Sequence, residues 1–197
     1  MQIIYTIGHS TRSKEEFLTI LAGFSIKLLV DIRTVPRSRK NPQYNSEELK
    51  GWLGANAVEY LHLRDLGGLR RPRKDSANAG WKNLSFRGYA DYMGTEPFKQ
   101  ALDSLVSLAS EKITAIMCAE AVPWRCHRSL VGDALLVRQI DVQDLMSVKI
   151  AKPHRLTPWA HVHGLQLTYP PQAADDRKDK PPTSGSASPD ETQGQED

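Results

Sequence analysis

Residues 113–137 read ITAIMCAEAVPWRCHRSLVGDALLV, and this stretch decides the fold. An apolar run at 113–117 precedes a polar segment, and apolar side chains recur at helical spacing over 129–137. The stretch therefore predicts a strand, a turn and the start of a helix. Open α/β sheets place their binding sites at such turns. The polar segment holds both cysteines of the chain.

Strand-like and helix-like patterns alternate on either side of this stretch. The alternation predicts an α/β fold, a mostly parallel sheet flanked by helices. The predicted strands are residues 2–7, 26–30, 58–63, 114–117 and 142–148, with a late edge strand of either direction at 163–169. Predicted helices begin near Ser13, Asn45, Thr95 and Ser129, the first three with the named residue as N-cap. The polar segment 64–84 is predicted to be a loop.

The composition fits one globular domain followed by a tail. The chain has 197 residues, of which 40% are apolar and 25% charged. Residues 172–197 carry seven acidic and three basic groups and almost nothing apolar, so we expect a disordered acidic tail after a domain at 1–171. With the tail set aside, the domain has 16 acidic and 23 basic groups, a net charge of +7.

Location in the cell is predicted from what the sequence lacks. No apolar stretch approaches the roughly 18 residues that a membrane span needs, and the N-terminus has no export-signal pattern. We therefore expect a cytoplasmic protein that makes no membrane contact, with Cys118 and Cys126 as reduced thiols.

Three polar turns are expected to meet at one edge of the sheet. The carboxyl ends of parallel strands share an edge, so the first strand delivers His9, the second Asp31 and Arg33, and the fourth Cys118 and Glu120. The candidate catalytic residues are His9, Asp31, Cys118, Glu120, Cys126 and His127.

The cysteines allow covalent chemistry, metal binding or plain core packing. Cys126 is predicted at a helix start between basic residues, which favours a thiolate nucleophile, although free cysteine is also often a buried apolar residue. Cys118, Glu120, Cys126 and His127 also form a candidate zinc ligand set. A second candidate metal cluster, favoured less than ordinary exposed or hydrogen-bonded histidines, comprises His154, His161 and His163.

Basic residues near these turns predict an anionic ligand. The candidate substrate-binding residues are Arg33, Arg37, Arg125, Arg128, Arg70 and Arg71. Aromatic residues at positions 81, 86 and 89 lie close to the basic part of segment 64–84, a composition typical of surfaces that bind phosphates and stack bases. The alternative is a solvated charged face.

Several ordered motifs occur together in this chain. They are Tyr5-Thr6-Ile7-Gly8-His9-Ser10, Val30-Asp31-Ile32-Arg33 with Pro36 and Ser38, Leu66-Gly67-Gly68, and Met117-Cys118-Ala119-Glu120 through Cys126-His127-Arg128. In these motifs and their spacing the chain resembles the domain-of-unknown-function family 488 (DUF488). The resemblance spans residues 2–170 and implies a Rossmann-like α/β domain. It implies that the candidate residues occupy the family's characteristic positions, but it implies no reaction. One departure is that relatives often carry a His-Ile pair after the fifth strand, near Asp144-Leu145 of this chain.

Two functions follow as hypotheses. The leading one is an enzyme, a cysteine-dependent or metal-assisted hydrolase or transferase, acting on a phosphate-bearing substrate such as a nucleotide or nucleic acid. The alternative is a non-catalytic nucleic-acid-binding or regulatory module whose cysteines bind zinc or sense redox state.

Overall fold

The computed structural model describes residues 2–171, and the predicted tail at 172–197 lies outside the described residues. The strands are β1 (Ile3–Gly8), β2 (Leu28–Asp31), β3 (Glu59–His62), β4 (Thr114–Cys118), β5 (Asp141–Ser147), β6 (Ile150–Pro153), β7 (His161–His163) and β8 (Gln166–Thr168). The helices are α1 (Lys14–Gly23), α2 (Ser46–Gly54), α3 (Leu84–Met93), α4 (Glu96–Glu111) and α5 (Arg128–Val137).

Six of the strands form one sheet in the order β3-β2-β4-β1-β5-β6. The first five are mutually parallel and β6 runs antiparallel to β5. Gly8 is in register with Cys118, and Asp31 with Met117, so the carboxyl ends of three strands lie side by side. The predicted α/β fold with a mostly parallel sheet is therefore confirmed.

Helices cover both faces of the sheet. Alternate residues of each strand point to opposite faces. Leu29 and Ala115 pack with α1 and α2, whereas Val30 and Ile116 pack with α3, α4 and α5. All four residues of β2 are buried, as its continuous apolar run predicted.

The sequence patterns placed most elements but not all. Helix α3 and strand β6 were not predicted. The prediction of a late edge strand at 163–169 is also wrong. This region does not join the main sheet but contributes to a separate antiparallel pair, β7 and β8.

Of the three predicted N-caps, one is correct. The Ser13 side chain accepts a hydrogen bond from the backbone N–H of Glu16. Asn45 and Thr95 precede their helices without capping them. The Asn45 amide oxygen accepts from the N–H of Ser38 instead, and the Thr95 hydroxyl donates to a backbone carbonyl of the preceding helix.

Within residues 2–171, no helix combines the length and the hydrophobicity that crossing a bilayer would require.

Candidate functional site

A cavity of about 430 Å³ opens at the carboxyl edge of the sheet. The ends of β1, β2 and β4 contribute to it, as does the segment that leads into α5. From the predicted site, its lining includes His9, Arg33, Arg37, Cys118, Glu120, Arg125, Cys126 and His127. The convergence of the three polar turns is therefore confirmed.

Two sulfur atoms and one imidazole nitrogen lie close together in the wall of this cavity. Nδ1 of His127 lies 3.9 Å from Sγ of Cys118 and 3.8 Å from Sγ of Cys126. All three ligand-type atoms lie within 4.8 Å of one another. Both cysteines are buried and reduced, and His127 is half-buried. We call these residues the Cys₂His group.

The orientation of the His127 ring is fixed by its surroundings. Nε2 lies 3.1 Å from the carbonyl oxygen of Ile32, which can only accept, so Nε2 carries the proton. The lone pair of a neutral ring is then on Nδ1 and faces both sulfurs. The Tyr89 ring packs on the imidazole with centroids 4.9 Å apart. Gly68 also lies close to the His127 ring, since a Cβ added to this glycine would be 3.0 Å from Nδ1 of His127. Glycine at this position leaves room for the ring.

The two thiols differ in acidity, in the opposite sense to the sequence prediction. The pKa of Cys118 is lowered, first because the Cys126 thiol donates to it and also because the N–H groups of Ala119 and Glu120 point at it. The pKa of Cys126 is raised, first because the Cys126 thiol donates a hydrogen bond to Cys118 and also because Cys126 is buried. Cys126 also precedes helix α5, which begins at Arg128, so it gains no first-turn N–H groups. The expectation of a Cys126 thiolate at a helix start is therefore wrong.

His9 is a neutral, buried histidine. Its Nδ1 donates to the carbonyl oxygen of Ser10 at 2.9 Å, and its ring stacks on Tyr44 with centroids 4.2 Å apart. Burial lowers its pKa to about 4, and the Arg33 charge acts in the same direction while the hydrogen bond to Ser10 opposes it. The unprotonated Nε2 lies 3.4 Å from Nη1 of Arg33. His9 can therefore accept a proton or a hydrogen bond at the cavity wall.

Asp31 orients Arg33 and does not line the cavity. The carboxylate is fully buried and accepts from Nη2 of Arg33 at 2.6 Å and from the Tyr60 hydroxyl at 2.9 Å. Arg33 is itself 5% exposed and donates as well to the carbonyl oxygen of Tyr44 at 2.7 Å. The pair places one fixed guanidinium in the cavity wall.

Arg128 braces the loop after β4 and is not among the residues that line the cavity. Its guanidinium is 1% exposed and donates to the backbone carbonyls of Glu120 and Ala121. The placement differs from the predicted anion-binding role, because a buried guanidinium committed to backbone oxygens does not reach a ligand in the cavity.

Glu120 lines the cavity but does not join the Cys₂His group. Its side chain is exposed, and among the described residues the metal-ligand grouping contains only Cys118, Cys126 and His127. The predicted four-residue zinc set is therefore not assembled, because Glu120 lies on the loop beyond the strand end.

The other four predicted arginines divide into two sets. Arg37 and Arg125 are exposed and line the cavity. Arg70 and Arg71 do not line it. The guanidinium of Arg70 lies 3.5 Å from the centroid of the Tyr92 ring and donates to a backbone carbonyl, so this residue fastens the loop that it belongs to.

Fewer arginines of the basic segment 64–87 are available to bind a ligand than the sequence predicts. Arg73 pairs with Asp75, and Arg87 donates to the carbonyl oxygen of Trp81. Of the three aromatic residues, Trp81 packs at the edge of the hydrophobic core, whereas Phe86 and the buried Tyr89 line the cavity.

The candidate cluster of three histidines is not assembled. His161 and His163 are exposed on β7, whereas His154 lies between two buried carboxylates. Its Nε2 is 3.0 Å from Asp133 and its Nδ1 is 3.4 Å from Asp144. Since both ring nitrogens face acceptors, the ring is a doubly protonated cation.

Sequence reasoning missed the residues that hold the site in shape. Tyr44 and Tyr89 support the two imidazoles, and the backbone carbonyl of Ile32 orients one of them. The only signal in the sequence was the Gly67-Gly68 pair, since paired glycines indicate a close backbone approach.

Comparison with curated proteins and with solved structures gave no match. Residues 13–135, more than half of the chain, match the family described as "Domain of unknown function DUF488". The matched range contains β2, β4 and the complete Cys₂His group. The chain belongs to the DUF488 family.

Proposed function

We propose that this protein is an enzyme that acts on a phosphate-bearing substrate, specifically a nucleotide, in the cavity at the carboxyl edge of the sheet. The reaction is a hydrolysis or a group transfer. One observation carries the proposal: exposed guanidiniums and the Cys₂His group line the same cavity.

Charge in the cavity favours an anion. Three arginines line it against a single carboxylate, Glu120. Arg33 is already paired with Asp31. Arg37 and Arg125 form no side-chain hydrogen bond or ion pair within residues 2–171, so both can bind phosphate oxygens.

The rim of the cavity favours a flat apolar group beside the phosphate. Val35 and Leu69 line it with 58% and 80% of their surfaces exposed, and Phe86 lines it as well. Exposed Leu84 and Trp124 are close neighbours in sequence of lining residues. A nucleobase stacks on an aromatic side chain such as Phe86 with about 1–3 kcal/mol per base, and Val35 and Leu69 add apolar surface that the base can cover.

The Cys₂His group supplies the reactive atoms, and neutral His9 with exposed Glu120 supplies proton acceptors. No other clustered sulfur or imidazole groups of this kind occur in the described residues. Binding and chemistry are therefore assigned to separate residues, which makes them separable by mutation.

The binding half is tested by calorimetric titration of the full chain with nucleoside monophosphates and with inorganic phosphate. Each charge-assisted hydrogen bond contributes about 1.5–3 kcal/mol, so the Arg37→Ala and Arg125→Ala double variant should bind at least about tenfold more weakly. Arg39→Ala is the matched control, an exposed arginine on the same loop that does not line the cavity. Equal weakening in the control, or no binding by the native chain, would reject the proposal.

The stacking argument has its own test. The double variant Val35→Ser, Leu69→Ser should lose the preference for a nucleotide over inorganic phosphate while phosphate itself still binds. Leu165→Ser is the control, because Leu165 is 61% exposed but lies outside this cavity. A nucleotide that binds no better than phosphate to the native chain contradicts the assignment of a base to this rim.

The chemical half is tested by incubating a panel of nucleotides with the chain and separating the products by chromatography. Cys118→Ser and His127→Ala should each abolish turnover and leave nucleotide affinity within about threefold, because the phosphate is held by other residues. Turnover that persists in both variants would exclude the Cys₂His group as the reactive centre.

A further inference from the structure

We propose that the Cys₂His group is a zinc site with three protein ligands and a fourth coordination position open to the cavity. The inference deepens the proposed function, on which its catalytic meaning rests. Metal binding itself is a separate property of Cys118, Cys126 and His127.

The donor set and its spacing fit zinc. Zinc in proteins is bound by thiolate at about 2.3 Å and by imidazole at about 2.0–2.1 Å in tetrahedral geometry, so a sulfur and a nitrogen ligand lie about 3.5 Å apart. The two S···N distances here are 3.9 and 3.8 Å. Each S···N pair therefore needs a contraction of about 0.3–0.4 Å. The two sulfurs, which lie within 4.8 Å of each other, must come to about 3.8 Å.

The imidazole is already prepared for a metal. Metal-binding histidines usually donate their second N–H to a carbonyl or carboxylate, which fixes the tautomer and the ring plane. His127 does so through Nε2 and the carbonyl oxygen of Ile32 at 3.1 Å. Packing of Tyr89 on the ring holds the same orientation. The lone pair on Nδ1 then points at the sulfurs before any metal arrives.

The coordination number follows from the surroundings. Within the described residues, the metal-ligand grouping contains these three side chains and no fourth. All three line the cavity, although both cysteines are also buried against the hydrophobic core. Three protein ligands and an accessible fourth position are typical of catalytic zinc, whereas structural zinc has four protein ligands.

An open zinc position would supply a polarised water or substrate oxygen next to the residues that bind phosphate. Arg37 and Arg125 lie in the wall of the same cavity, as does exposed Glu120. A zinc ion bound there would explain why two buried thiols lie beside arginines in the same cavity.

Cobalt substitution tests the site without any substrate. The full chain, reduced and treated with chelator, is titrated with Co²⁺ and its absorption spectrum is recorded. We expect one cobalt per chain, thiolate-to-cobalt charge-transfer bands and the strong visible bands of four-coordinate cobalt, all removed by added Zn²⁺. Because the chain has only two cysteines, Cys118→Ser and Cys126→Ser should each reduce the charge-transfer band by about half or more.

His127→Ala should weaken cobalt binding at least tenfold, whereas His163→Ala, a change at an exposed histidine on β7, should leave it unchanged. Circular dichroism and thermal unfolding establish that each variant is folded. If folded native protein gives no charge-transfer band at stoichiometric cobalt, or if the band survives Cys126→Ser undiminished, the zinc site is refuted.

Azide tests the open position. Binding of azide to the cobalt protein should shift the visible bands, and an unshifted spectrum would show a closed site and refute the fourth position. Calorimetry with a nucleotide on the metal-free chain separates the two proposals. Nucleotide binding without a cobalt spectrum overturns only the metal site, and a cobalt spectrum without nucleotide binding overturns only the proposed function.

Discussion

His154 should make the stability of the protein fall as the pH rises. Its ring links helix α5 to strand β5 through Asp133 and Asp144, and Asp133 also accepts from the Tyr169 hydroxyl at 2.9 Å. Burial lowers the pKa of His154, but the hydrogen bonds to the two carboxylates and their charges outweigh burial and raise the pKa from 6.5 to about 9. The folded protein therefore holds this proton more tightly than the unfolded chain does.

The magnitude follows from the linkage between proton binding and folding. Each tenfold change in proton affinity is worth about 1.4 kcal/mol, so the shift corresponds to about 3 kcal/mol of folding free energy. Because the folded pKa is the higher one, this stabilisation is complete below the unfolded value of 6.5. It is then lost as the pH rises through about 9.

The assay is urea unfolding followed by tryptophan fluorescence at a series of pH values from about 6 to about 10. The comparison is the double variant His154→Gln, Asp144→Asn, which replaces the cation and one carboxylate by neutral amides and leaves Asp133 with its Tyr169 partner. Over this pH range the free energy of unfolding of the native chain should fall by about 3 kcal/mol more than that of the double variant. His163→Gln, at an exposed position, should retain the native slope. A double variant with the full native slope would refute the reasoning.

Three further predictions concern close packing and surface charge. Gly132→Ala should destabilise the protein by about 1–3 kcal/mol in urea unfolding, although alanine favours a helix by about 1 kcal/mol, because the added Cβ would lie 2.8 Å from the His154 ring. A Gly132→Ala variant as stable as the native chain would mean that the ring can move. Gly8→Ala should cost at least about 3 kcal/mol and abolish nucleotide binding in calorimetry, since its Cβ would overlap the Glu120 carbonyl oxygen at 1.7 Å. A folded Gly8→Ala chain with native affinity would contradict the close contact between β1 and the loop after β4. Arg73→Ala should leave the melting temperature unchanged in calorimetry, because its ion pair is largely exposed, and a clear drop would show a role for this pair in the fold.

Local patterns explain why the sheet was predictable and α3 was not. Continuous or alternating apolar runs identify strands because burial on the sheet faces demands them. Helix α3 also carried signals, namely Asn83 as N-cap and buried Tyr89, Ala90 and Met93 at helical spacing. Gly88 in its interior lowers helix propensity, but the carbonyl oxygen of Arg70 approaches so closely that a Cβ would lie 2.4 Å from it. Only the packed loop explains that glycine.

The roles of the charged residues could not be read from their identity. Asp31 is predicted as a catalytic residue and Arg128 as an anion-binding residue, yet both are buried and position other parts of the site. Arg37 and Arg125 have the same sequence signature, yet they line the cavity and have no side-chain partner among residues 2–171. A side chain's partners depend on residues distant in sequence, so composition cannot separate a structural guanidinium from one that binds a ligand.

The sequence by itself determined the alternation of strands and helices, the parallel sheet and the edge at which the polar turns meet, because these depend on local periodicity and on the handedness of the connections. The tertiary structure decided which atoms face each other there. It set Nδ1 of His127 toward two sulfurs, made Cys118 the more acidic thiol, and excluded Glu120 from the group. Those outcomes depend on hydrogen bonds and burial at ångström scale, and such distances are fixed only when distant segments pack together.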